Sequence, residues 1–305
     1  MLKTSITGLV AATHSPFHED RSLNLAIVEK QAEHLLANGI ATVFICGTTG
    51  ESESLTLDER RALAVRWSEV ARGTALKIIV HVGSNCLADS RVLAAQAQEL
   101  DARAIAAFAP SYFKPRYVAS LVDCCAEIAS AAPQTPFFYY DIPSMTGVAL
   151  SMPEFLAQAR ERIPNLVGVK FTNADLMMFQ QCLRLDGGTF NTLWGCDEFM
   201  LAAWALGAKG AVGSTYNFAA PVYHRIIKSL EAGDLATARD QQFRSVQLVA
   251  TLVPRGFMGA AKAVMTMLGV NVGPPRLPNG HLNHAEHVAL RADLEKLGFF
   301  DWIKH

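Results

Sequence analysis

The sequence predicts a (β/α)8 TIM barrel carrying a C-terminal helical extension. Three observations carry that expectation. Short apolar, β-rich runs alternate with helical patterns eight times over roughly 230 residues, the size of one closed barrel. The runs are apolar throughout rather than alternating, as parallel strands covered on both faces require. No G-x-G-x-x-G follows the first run, which sets aside the nucleotide-binding version of a doubly wound sheet.

The elements follow in order from those patterns. Residues 6–12 read as the first strand and 25–37 as the first helix. Strand two is expected over 42–46, followed by a helix over 57–71 with Thr56 and Asp58 near its N-cap. Strands three and four are expected over 76–82 and 104–109, with helices around 88–100 and 119–131. Pro136 introduces strand five over 137–142. Strands six, seven and eight are expected over 166–172, 190–194 and 210–214, and a helix over 199–206 stops at Gly207, a C-cap signal. After Leu230 the pattern is purely helical, over 234–252, 257–268 and 284–296, with the loop Gly273-Pro274-Pro275-Arg276-Leu277-Pro278 between the last two. The expected organisation is therefore a barrel over 1–230 and a helical appendage over 231–305 packed on it.

Half of the 305 residues are apolar, enough for a large core, and 27 basic residues balance 28 acidic ones. That balance offers no electrostatic footprint for nucleic acid or an anionic membrane, so neither is expected as a partner. Residues 1–10 hold no apolar run of signal-peptide length, and no stretch approaches the ~18 uninterrupted apolar residues of a membrane span. The six cysteines, Cys46, Cys86, Cys124, Cys125, Cys182 and Cys196, have no framework spacing. They read as reduced thiols of a cytoplasmic protein, mostly filling core positions.

Catalytic side chains of a barrel come from the carboxyl ends of its strands. Strand two ends in Gly47-Thr48-Thr49-Gly50-Glu51, where two hydroxyls and close glycine amides suit a small anion such as a carboxylate. A tight turn with a helix cap explains the same string equally well. Strand five ends in Tyr139-Tyr140-Asp141, and alternation sends one tyrosine into the barrel, either as a satisfied core residue or for proton transfer. Strand six carries Lys170 near its mouth. A desolvated lysine loses its proton readily, and only the neutral amine attacks a carbonyl, so Lys170 is a Schiff-base candidate. A strand-end lysine that snorkels to water is the simpler alternative. Strands seven and eight end in Gly195-Cys196-Asp197-Glu198 and Gly213-Ser214-Thr215-Tyr216-Asn217, acidic and hydroxyl groups that suit a polyol, although Asp197 could serve only as a helix N-cap. The histidines show no ligand spacing, and His281, His284 and His287 read as surface residues, so no metal and no cofactor is expected.

Together these motifs resemble the N-acetylneuraminate lyase and dihydrodipicolinate synthase family of lysine-dependent barrel enzymes, from Gly8-Leu9-Val10-Ala11-Ala12 through Gly273-Pro274-Pro275-Arg276-Leu277-Pro278. The resemblance implies a Schiff base on Lys170, proton relay by Tyr140, and a keto-acid carboxylate held at Thr48 and Thr49. Synthases of the family usually carry an arginine where this chain has Met145, whereas Asp197-Glu198 and Gly213 to Asn217 look like the sialic acid lyases. His81-Val82-Gly83 and the segment from Lys262 to Thr266 look closest to animal-type lyases. On that branch Thr172 and Ser214 orient the C4 hydroxyl, and Gly195, Asp197, Glu198 and Ser214 recognise the sugar chain. Tyr112 is then expected to reach a neighbouring subunit's site in a homotetramer. Asp141 and Cys196 depart from the usual residues. The implied reaction is reversible cleavage of a sialic acid to an amino-sugar aldehyde and pyruvate. The alternatives are an aldolase or dehydratase acting on another 2-keto-3-deoxy acid, a dihydrodipicolinate synthase-like enzyme, or a keto-acid sensor on a degenerate barrel.

Overall fold

The computed structural model describes residues 5–304 of the chain. Eight parallel strands close into a barrel in sequence order, each followed by helix. The order is β1 (Gly8–Ala12), α1 (Ile27–Ala37), β2 (Thr42–Ile45), α2 (Leu57–Ala71), β3 (Lys77–His81), α3 (Leu87–Glu99), β4 (Ala104–Ala107) and α4 (Val118–Ala129). It continues with β5 (Phe137–Asp141), α5 (Pro143–Thr146), α6 (Met152–Arg162), β6 (Leu166–Phe171), α7 (Leu176–Arg184), β7 (Asn191–Trp194), α8 (Met200–Ala205), β8 (Gly210–Gly213) and α9 (Tyr216–Glu231). Helices α10 (Leu235–Leu252), α11 (Phe257–Met267), α12 (His284–Leu297) and α13 (Phe299–Trp302) complete the chain. The barrel and the C-terminal helices are those the sequence predicts. No single helix among the described residues is long and apolar enough to cross a membrane.

The strands are one or two residues shorter than the apolar runs suggest, because run ends leave the ladder. Ile6 is an example: its N–H donates to the Asn191 side chain at 2.8 Å and its carbonyl accepts from the same amide at 3.2 Å. The N-cap expected at Thr56 is present as a full capping box with Glu59. Helix α13 is a single turn, too short to register as periodicity.

Contacts group the residues into two compact units. One comprises the described residues up to Gly8, Lys77–Cys196 and Ala202–Val212, and contains β3 to β7. Here β6 is buried at all six positions, and its outward residue Phe171 packs with Phe179 of α7 and Trp194 of β7, at centroid separations of 5.5 and 6.2 Å. Tyr139 of β5 also faces outward, 4.8 Å from Phe155 of α6. The other unit comprises Leu9–Leu76, Asp197–Leu201 and the described residues from Gly213 on. Val28, Leu35, Phe44, Leu63 and Trp67 form part of its buried apolar core. Of the cysteines, Cys46, Cys125 and Cys182 are buried, whereas Cys86 is exposed and Cys124 and Cys196 are half-buried, so core filling accounts for three of the six.

Candidate active site

Strand register brings the proton-transfer candidate to the lysine. Tyr140 of β5 pairs directly with Lys170 of β6, and side chains at paired positions share one face of the sheet. Since Tyr139 points outward, Tyr140 points inward. Lys170 is 4% exposed, and its Nζ lies 3.8 Å from the centroid of the Tyr140 ring. The snorkelling alternative therefore fails: this lysine is buried at the end of its strand. His81, at the end of β3, stands edge-on to Tyr140 at 5.8 Å, with Phe108 at 6.4 Å. Both were missed as neighbours of the site because only register, not spacing along the chain, brings them there.

Just past β6, the Thr172 Oγ1 is buried and has no hydrogen-bond partner among the described residues. Gly195, just past β7, allows this approach, since a Cβ there would lie 2.0 Å from that oxygen. Asp141 is buried on β5, and its carboxylate accepts from the Asn173 amide at 3.3 Å. Burial pushes the Asp141 carboxyl up to about 7, the Asn173 hydrogen bond opposing it.

The second unit holds the hydroxyl and carboxylate candidates. The Thr49 and Ser214 hydroxyls hydrogen-bond each other at 2.6 Å, joining the loops after β2 and β8. Thr48 beside it is half-buried. Asp197 is buried, and its Oδ2 accepts from the backbone N–H of Thr215 at 2.9 Å and the Thr215 hydroxyl at 2.6 Å. The Thr215 hydroxyl continues to Tyr223, whose hydroxyl meets Ser245 at 2.7 Å. Gly213 makes room for this carboxylate, because a Cβ would stand 2.0 Å from Asp197 Oδ1. Asp197 thus braces the turn that carries Ser214, while Glu198 beside it is half-buried.

Beneath the Thr48-Thr49 turn lies a buried polar cluster that sequence spacing did not single out. Glu51 Oε1 and Lys262 Nζ pair at 2.7 Å, with both side chains almost fully buried. His14 sits by the same turn, and burial, reinforced by the Lys262 charge, lowers its pKa to about 3 against a backbone hydrogen bond at Thr49. Its imidazole is neutral at physiological pH. No group of three or more potential metal ligands exists among the described residues. Tyr112 and Phe113 form an exposed edge-to-face pair, 79% and 86% accessible, and Met145 on α5 is 65% accessible.

Residues 5–297 match the model of the dihydrodipicolinate synthetase family. The chain belongs to that family. It is similar to the N-acetylneuraminate lyase of Gallus gallus, 40% identical over 280 residues that span 90% of this chain and 91% of the relative. Among solved structures it is similar to the Proteus mirabilis N-acetylneuraminate lyase, with a TM-score of 0.94 and 38% identity over 97% of this chain and all of that one. The N-acetylneuraminate lyase of Aliivibrio salmonicida gives the same TM-score at 40% identity, over 97% of this chain and 98% of the other. Within this family of barrel enzymes, the residues at the strand ends then determine which substrate is handled.

Proposed function

We propose that this chain reversibly cleaves N-acetylneuraminate to N-acetylmannosamine and pyruvate through a Schiff base on Lys170. The observation that carries the reading is the buried Lys170 side chain, its Nζ against the Tyr140 ring at the mouth of β6. Its full-length similarity to lyases of that name supports the choice of sugar acid.

The neutral amine of Lys170 attacks the C2 carbonyl of the open-chain keto acid, and loss of water leaves an imine that protonates to an iminium. Thr48, Thr49 and nearby amides hold the carboxylate. Tyr140, together with that carboxylate, relays the proton from the C4 hydroxyl as the C3–C4 bond breaks, and the electron pair moves into the iminium to give an enamine. Thr172, whose hydroxyl has no partner among the described residues, orients the C4 hydroxyl with Ser214. Gly195, Asp197, Glu198 and Ser214 receive the sugar chain. Protonation of the enamine at C3 and hydrolysis of the imine release pyruvate and restore Lys170. No metal and no cofactor enters these steps. The exposed Tyr112-Phe113 pair supports a homotetramer in which Tyr112 approaches a neighbouring site, and the reduced cysteines support a cytoplasmic location.

Incubation with pyruvate and borohydride tests the first step: a mass increase on Lys170 is expected, and its absence overturns the mechanism. A cleavage screen over a panel of 2-keto-3-deoxy acids tests the substrate, with N-acetylneuraminate expected to be turned over best.

A further inference from the structure

Lys262, on α11, takes no part in the chemistry above, yet it is 2% exposed and fully engaged. Its ammonium has three protons, and three acceptors surround it: Glu51 Oε1 at 2.7 Å, the Ser15 carbonyl at 3.0 Å and the Pro274 carbonyl at 3.3 Å. The Phe17 ring covers another side at 4.3 Å. Glu51 is equally engaged, since its Oε2 accepts from the backbone N–H of Arg276 at 2.8 Å and the Asn279 amide at 3.3 Å. Burial lowers the Lys262 pKa to about 8, with Glu51 opposing the fall.

A buried ion pair is seldom better for stability than an apolar pair of the same shape. Its placement suggests another use. Glu51 ends the Gly47-Thr48-Thr49-Gly50-Glu51 turn in the left-handed region, at φ 54 and ψ 38, and Cys46 just before the turn is also left-handed at φ 55. Such residues are strained and persist where the surroundings hold them. The grip here is two-sided. Lys262 holds the Glu51 carboxylate and the Ser15 carbonyl, and the Ser15 hydroxyl in turn donates to the Gly50 carbonyl at 2.6 Å. Thr49, two residues ahead of Glu51, is set against Ser214 by the same turn.

We propose that Glu51 and Lys262 are positioning residues that hold the 47–51 turn in its carboxylate-binding geometry, so that the pair sets affinity for the keto acid and not for the sugar aldehyde. The inference rests on the reading in which Thr48 and Thr49 hold the keto-acid carboxylate.

The condensation direction separates the two substrates. Glu51→Gln, Lys262→Met and the double variant are compared with the wild type for KM of pyruvate, KM of N-acetylmannosamine, and the pyruvate concentration that half-saturates borohydride trapping. The double variant leaves no uncompensated charge and is expected to fold even if Lys262→Met alone does not. Half-saturation by pyruvate is expected to rise roughly tenfold, as a small displacement of a positioning group does. KM for N-acetylmannosamine is expected to stay within about twofold, and kcat to fall less than the pyruvate KM rises. A folded double variant with wild-type pyruvate half-saturation, or equal rises in both KM values, overturns the inference alone. A wild type that traps no pyruvate overturns the underlying reading and this inference with it.

Discussion

Two lysines are buried among the described residues, and their surroundings differ. Lys262 pairs with a carboxylate and donates to two backbone carbonyls. Lys170 lies at the end of β6, its Nζ over an aromatic ring at 3.8 Å. Burial is thus common to both lysines, and what differs is the surroundings of each nitrogen, which include a carboxylate and two carbonyls at Lys262 and an aromatic ring face at Lys170.

The largest expected effect breaks that comparison directly. Lys170→Ala should abolish both the trapped pyruvate adduct and turnover, a loss of roughly a thousandfold or more for removal of a covalent nucleophile. Lys170→Arg should fail equally, because a guanidinium stays protonated. Lys262→Met should still form the adduct at saturating pyruvate. Adduct formation in Lys170→Ala, detected by intact mass and peptide mapping, would move the Schiff base elsewhere and erase the distinction.

A smaller effect concerns the ring that Lys170 faces. Tyr140→Phe keeps the ring and removes the hydroxyl. Cleavage should fall by about 10²–10⁴, the usual worth of a positioned acid–base group, while pyruvate trapping at saturation persists. Equal loss of both steps would give Tyr140 a role in forming the imine rather than in breaking the C3–C4 bond.

Much of this was legible in the sequence, and the rest was not for identifiable reasons. Strand order, barrel closure and the special position of Lys170 followed from continuous apolar runs with one cation at a strand end. Alternation alone does not tell Tyr140 from Tyr139, although the family resemblance points to Tyr140; the β5–β6 register pairs Tyr140 with Lys170. The Glu51–Lys262 pair joins residues 211 positions apart, and Lys262 lies inside an apolar helix where spacing gives no hint of its partner. Asp197 was read as a sugar ligand or an N-cap; its two bonds to Thr215 add a bracing role that no motif spelled out.

Because Asp197 braces that turn, Glu198 is the cleaner probe of the proposed sugar contacts. Glu198→Ala should weaken N-acetylneuraminate cleavage by roughly tenfold, the cost of a lost hydrogen bond to a charged acceptor, with pyruvate trapping unchanged. Asp197→Ala should do the same and also lower the melting temperature, because it strips the Thr215 brace. Normal cleavage in a Glu198→Ala variant would favour a shorter keto acid as the substrate.

A difference in partners also separates two buried carboxylates, and it sets the smallest expected effect. Glu51 has an ammonium at 2.7 Å, whereas Asp141 has the Asn173 amide at 3.3 Å and no ion pair among the described residues. Burial accordingly raises the Asp141 carboxyl from 3.8 to about 7. Between those two values the unfolded chain has released this proton and the folded chain has kept it. Stability from Asp141 is thus fully present below pH 3.8 and is lost as pH rises through about 7. Asp141→Asn keeps the shape and removes the titration. The variant should be more stable than the wild type at pH 8, by roughly 2–4 kcal/mol at most, and the gap should shrink as pH falls toward 5. Paired melting curves across pH 5–8 check this, with pyruvate trapping as a control for the Lys170 strand alongside. A pH-independent gap would mean that Asp141 is already ionised in the folded chain, with an uncharged hydrogen bond from Asn173 sufficient to hold a buried carboxylate.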